Sequence, residues 1–128
     1  MSAPARVEAT ATTLDWIARL QAMHGPLAFY QSGGCCEGSA PLCYARAELR
    51  VGPHDVLLGE IGGSPFYILE NQFEYWRHTQ LIIDVVKGGG EGFSLEGPEG
   101  ISFITRSRVF TDEEVAELAA LGEPPRAA

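Results

Sequence analysis

The sequence predicts a mainly-β domain of the α+β class: small mixed sheets with an N-terminal helix, a short internal helix and a C-terminal helix. Three observations carry this. Glycine is abundant, 15 of 128 residues, or roughly 12% against a usual ~7%, so tight turns are frequent. Short apolar or alternating segments cluster one after another between Gly and Pro signals instead of alternating with long helices, which argues against a parallel doubly wound sheet. Helical periodicity is confined to the two ends and to one short internal segment.

The first helix is expected from about Thr12, with Thr12 and Asp15 as its capping pair and Leu14, Ile17, Ala18 and Leu20 as its apolar stripe. His24-Gly25-Pro26 stops it, Gly as the left-handed cap and Pro by forbidding continuation. LAFYQ (27–31) reads as a strand, with Phe29 and Tyr30 on opposite faces. RAELRV (46–51) and DVLLGEI (55–61) read as a hairpin about the turn GPHD, followed by the strand PFYIL (65–69). ENQFEYWRH (70–78) is a short helix, and the aromatic group Phe66, Tyr67, Phe73, Tyr75 and Trp76 is expected in the core or on a dimer surface. TQLIIDVV (79–86), GFSLE (92–96) and ISFITRSRV (101–109) are strands separated by glycine-rich turns. Thr111-Asp-Glu-Glu114 is a capping box that opens the last helix, with its acids placed well against the helix dipole.

A chain of 128 residues is read as a single domain, 1–128, with flexible tails at about 1–9 and 122–128. The net charge of −8 argues against a nucleic-acid partner, since phosphate neutralisation needs clustered Lys and Arg. The opening MSAPARVEATATT lacks the apolar segment of a secretory signal, and the run LIIDVV (81–86) is too short to span a membrane. The expected compartment is the cytoplasm.

All three cysteines, Cys35, Cys36 and Cys43, fall within QSGGCCEGSAPLCY (31–44). Clustered thiolates suit zinc, an iron–sulfur cluster or Cu(I) better than calcium or magnesium. Adjacent side chains on an extended strand point to opposite faces, so Cys35 and Cys36 can share one ion only if the backbone bends. Gly33, Gly34 and Gly38 allow that bend. Three thiolates leave a tetrahedral ion one ligand short, to be completed by a His, a carboxylate, water or a thiol from a second subunit. Among the histidines, His24 suits a helix C-terminus and His54 a turn, and His78 is the fourth ligand of choice. The same loop also admits a reversible disulfide or an activated thiolate, its backbone N–H groups forming an anion nest. The third option is that some of these cysteines simply pack inside. Gly88-Gly89-Gly90 lacks the Lys and Ser/Thr of a phosphate loop and reads as a turn.

QSGGCCEGSAPLCY, LLGEIGGSPFYILENQFEYWRHTQLIIDVVKG and GFSLEGPEGISFITRSRVFT together resemble a bacterial domain-of-unknown-function family often encoded beside aldehyde dehydrogenases. A second resemblance is to the A-type iron–sulfur carriers of the HesB-like fold. Ser32, Gly33, Gly34, Cys35, Gly38 and Tyr44 follow the order of their Ser-Gly-Gly-Cys loop. Ile83, Asp84, Val85, Gly92, Phe93 and Pro98 follow the order of their later strand and turn. That resemblance implies a HesB-like fold of small mixed sheets and a homodimer. The carriers complete their site with a Cys-x-Cys pair near the C-terminus, and this chain has no cysteine after Cys43, so only Cys35 carries over.

The function expected is therefore a small cytoplasmic metal- or iron–sulfur-binding accessory protein rather than a stand-alone enzyme. Cys35, Cys36 and Cys43, with His78, are its candidate ligands, and the first resemblance implies service to aldehyde or alcohol metabolism. Two other readings stand beside it. One is a thiol-dependent redox protein or enzyme acting on an aldehyde or disulfide. The other is an interaction module whose aromatic face docks on a dehydrogenase.

Overall fold

In chain order the elements are β1 (Val7–Ala9), α1 (Ala11–His24), β2 (Leu27–Gln31), β3 (Leu42–Ala45), a 3-10 turn (Arg46–Glu48), β4 (Asp55–Ile61), β5 (Ser64–Leu69), α2 (Glu70–Trp76), β6 (Thr79–Lys87), β7 (Ile101–Val109) and α3 (Asp112–Leu121). They come from a computed structural model that describes residues 4–31, 41–88 and 99–126. Three strands form one mixed sheet in the order β1-β6-β7, and four form another in the order β3-β2-β5-β4. β1 runs parallel to β6 and β2 parallel to β5; the remaining pairs are antiparallel. The α+β class, the two small mixed sheets and the three helices agree with the expectation from sequence.

The two sheets share one apolar interior. On β7 the alternate residues Ile101, Phe103 and Thr105 are buried, the period of a strand with one face inward. On β2, Leu27, Ala28, Phe29 and Gln31 are all buried, as suits a strand with a neighbour on each side. Phe29 is the pivot. Its ring stacks on Phe66 of the neighbouring β5 at 6.2 Å and meets Phe103 of the opposite sheet edge-on at 5.4 Å. Edge-on and offset contacts of this kind are the arrangements the ring quadrupoles favour.

Four local expectations are corrected. α1 begins at Ala11, not Thr12, because Thr10 is its N-cap and accepts from the Thr13 N–H at 3.2 Å. Thr10 is held there by tertiary contacts: its N–H donates to the Ile83 carbonyl, and its hydroxyl donates to Asp84. The inward face of α1 carries Thr13, Ile17 and Leu20, while Leu14 is 41% exposed and Ala18 lies on the surface.

Residues 46–51 are not a strand. β3 precedes them and pairs with β2, and β4 takes β5 as its hairpin partner. Gly62 and Gly63, with φ of 57° and 80°, make the two-residue turn of that hairpin, a conformation that needs positive φ at both positions.

The expected tails are partly built into the fold. Val7 is buried in β1 against β6. Near the other end, the Pro125 carbonyl accepts from the Leu57 N–H, Arg126 bridges to Val56, and its guanidinium meets Glu70 at 3.1 Å. The strand expected at 92–96 lies outside the described residues.

Candidate functional site

The loop bearing Cys35 and Cys36 also lies outside the described residues, but both of its ends are defined. β2 runs into it and β3 runs out of it, and their ladder closes with Tyr30 opposite Leu42. Phe29, Gln31 and Cys43 share the inward face of this hairpin, with Cys43 directly opposite Phe29. The Cys43 side chain has no exposure and belongs to the same apolar cluster as Phe29 and Phe66. Its surroundings are those of a packing residue.

Gln31 is the last described residue before the loop, and it is fully buried. Its side-chain oxygen accepts a hydrogen bond of 2.8 Å from the Thr105 hydroxyl, also fully buried, on the opposite sheet. A polar pair in an otherwise apolar interior is stable only when its groups satisfy one another. This pair therefore fixes the root of the cysteine loop to the three-stranded sheet.

The outward face of the same root is fastened as well. The Tyr30 hydroxyl donates to Oδ1 of Asp55, whose Oδ2 accepts from the Gly52 N–H at 2.8 Å. Burial first, then the hydrogen bond to Asp55, pushes the Tyr30 pKa well above the ordinary tyrosine value. Tyr30 is thus a neutral donor and a fastening, not an acid or base poised for chemistry. Of the aromatic group, Phe66, Phe73 and Trp76 are buried in the core, and Tyr67 is half-buried.

His78 stands elsewhere, exposed on the turn between α2 and β6, where its carbonyl accepts from the Phe110 N–H. Its neighbours are Arg6 and Arg77, and the three line one side of a cavity of about 400 Å³ beneath α3. Among the described residues no three His, Cys, Asp or Glu side chains come together in a way that could hold a metal ion. Cys43 and His78 therefore do not form the nucleus of a metal site with any other described ligand. His24 ends α1 as expected, and His54 lies in its turn with Nδ1 3.3 Å from Glu70.

Arg6 and Arg77 escaped sequence reasoning. Both guanidinium groups lie over the Phe73 ring, at 5.3 and 5.1 Å from its centroid. The Phe73–Arg77 spacing of four along α2 is a signal that a helical reading can use. Arg6 gave none, because it sits in a segment that reads as a tail.

The fold and the loop define a small two-sheet α+β domain with a fastened, cysteine-bearing hairpin loop. The chain belongs to the family described as Domain of unknown function (DUF779), whose model matches residues 16–109. That span takes in α1 from Trp16 onward, the cysteine loop and every strand except β1. No curated protein and no solved structure matches the chain. No helix among the described residues is long and apolar enough to cross a membrane.

Proposed function

We propose that the chain is a small accessory protein that binds a thiophilic metal ion or an iron–sulfur cluster through Cys35 and Cys36, with Cys43 as a packing residue in the core. The observation that carries this reading is the fastening of the loop root. The buried Gln31–Thr105 bond and the Tyr30–Asp55 bond anchor the strand from which the loop departs. Anchoring on both faces lowers the conformational freedom a loop must lose when its thiolates converge on an ion.

Two thiolates per chain are half of a tetrahedral set, so a second copy supplies the other two, and zinc or iron is the expected occupant. The cytoplasm, where thiols stay reduced, is the compartment that suits such a site. The resemblance to chains encoded beside aldehyde dehydrogenases directs the proposed service toward aldehyde or alcohol metabolism, as metal delivery or protection of an enzyme thiol.

Elemental analysis of untagged protein tests the reading, in wild type and in C35S, C36S and C43S. About one ion per two chains is expected for a four-thiolate site shared by two copies. C35S and C36S lose the metal, while C43S retains it when folded. Trace metal that is the same in wild type and in the C35S/C36S double variant refutes the proposal.

A further inference from the structure

The cavity beneath α3 has two chemically distinct walls. Arg6, Arg77 and His78 form one, and Val115, Leu118 and Ala119 of α3 form the other, with Glu123 at the margin. Its volume of about 400 Å³ falls within the range of small-molecule sites.

The charges in it do not balance. Arg77 is well supplied: its Nη2 lies 2.6 Å from both oxygens of Glu123, and its Nη1 is 3.4 Å from Glu74. Arg6 is not. Its Nη1 donates to the Arg77 carbonyl at 3.3 Å, and no described carboxylate lies within ion-pair distance of it. The shared Phe73 ring holds the two guanidinium groups together despite their like charge.

Burial lowers the Arg6 pKa; Glu123 opposes that shift and Arg77 adds to it. Arg6 is thus a half-buried cation with one weak neutral acceptor, beside a second cation, facing a cavity. A buried charge without a counter-ion is costly, and a planar guanidinium matches a carboxylate in two parallel hydrogen bonds.

We propose that this cavity binds a small monocarboxylate with an apolar tail, its carboxylate on Arg6 and its tail against Val115, Leu118 and Ala119. One guanidinium without a direct ion pair calls for one negative charge. Glu123 repels a second, which disfavours phosphate dianions. Glu123 also acts as a built-in competitor, because it occupies Arg77 and leaves only Arg6 for the ligand. Among the described residues, neither β2 nor β3, the strands that flank the cysteine loop, contributes to the lining.

The test is an NMR titration of the full chain with hexanoate, hexanamide and inorganic phosphate in parallel. Hexanoate gives saturable shifts in α3 and at the arginine side-chain N–H groups, weakening as salt is added. Hexanamide, of the same shape without the charge, gives none at the same concentrations. R6M, which keeps an apolar stem over Phe73, weakens hexanoate at least about tenfold, a bidentate charged contact being worth well over 1.4 kcal/mol. E123Q tightens it severalfold by releasing Arg77, and C35S/C36S leaves it unchanged.

Equal binding of acid and amide overturns the proposal, as does phosphate outcompeting hexanoate or a folded R6M that binds as wild type does. The acid–amide comparison uses wild-type protein, so it decides the question even where R6M does not fold.

Discussion

Replacing Thr105 by Val deletes one hydroxyl at nearly constant volume and strips the Gln31 side-chain oxygen of its buried donor. Both residues are fully buried and the bond is 2.8 Å long, so solvent cannot take over the lost role without opening the sheets. Leaving a buried polar group without its partner costs about 1–3 kcal/mol. The unfolding entropy of a 128-residue chain is about 270 cal/mol/K at roughly 2.1 cal/mol/K per residue, so a loss of about 2 kcal/mol lowers Tm by about 7 °C. Q31M, which keeps the length of the side chain and removes the acceptor, orphans the Thr105 hydroxyl and costs a similar amount. The Q31M/T105V double variant removes both polar groups, and its loss falls short of the sum of the singles by about 1 kcal/mol or more. Urea melts measure all four proteins, with unchanged m-values required for the comparison. Strict additivity, to within about 0.5 kcal/mol, would falsify the inference that this bond ties the root of the cysteine loop to the opposite sheet.

Three other outcomes follow from the same geometry. Cys43 is fully buried within the apolar cluster, so C43S loses about 1–3 kcal/mol in chemical denaturation, and C43A separates the cost of the hydroxyl from that of the lost volume. Gly62 and Gly63 both have positive φ, yet a Cβ at Gly62 comes to 3.0 Å from Cγ2 of Ile17 while one at Gly63 meets nothing within 4 Å. Each alanine variant loses about 1–2 kcal/mol to left-handed backbone strain, and G62A has the lower Tm of the two. Glu114, hydrogen-bonded first by Arg108 and then by the Thr111 N–H, has its pKa pulled down to about 2. A carboxylate depressed in the folded state adds stability above its unfolded pKa of about 4.3, and that increment disappears as pH falls toward 2. Tm measured across that window falls less steeply in E114Q, which keeps the capping hydrogen bond and drops the charge, than in wild type.

Much of the element order was legible because local chemistry specified it. LAFYQ and ISFITRSRV became β2 and β7 with the expected bounds, each set off by residues that cannot continue the preceding element. Thr111 and Glu114 form the reciprocal capping box read from their spacing, and Gly25 ends α1 at φ 80°. The misreadings share a different cause. RAELRV has strand-like alternation, but the ladder that would claim it ends at Leu27 opposite Ala45, and the Arg46 N–H turns back to the Pro26 carbonyl. Val7–Ala9 carries no local signal for a strand; it becomes one because β6 offers a parallel edge.

The same division runs through the candidate sites. The sequence alone determined that the thiols cluster in one glycine-rich loop, since spacing along the chain is a property of the chain. It also determined the α+β class, because turns and apolar periods are read within windows of a few residues. Only the tertiary structure decided that Cys43 faces the core, that Gln31 meets Thr105 across 74 positions of sequence, and that Arg6 and Arg77 share the ring of Phe73. Those contacts depend on how two sheets and a helix pack, and packing energy is shared among residues that are neighbours in space without being neighbours along the chain.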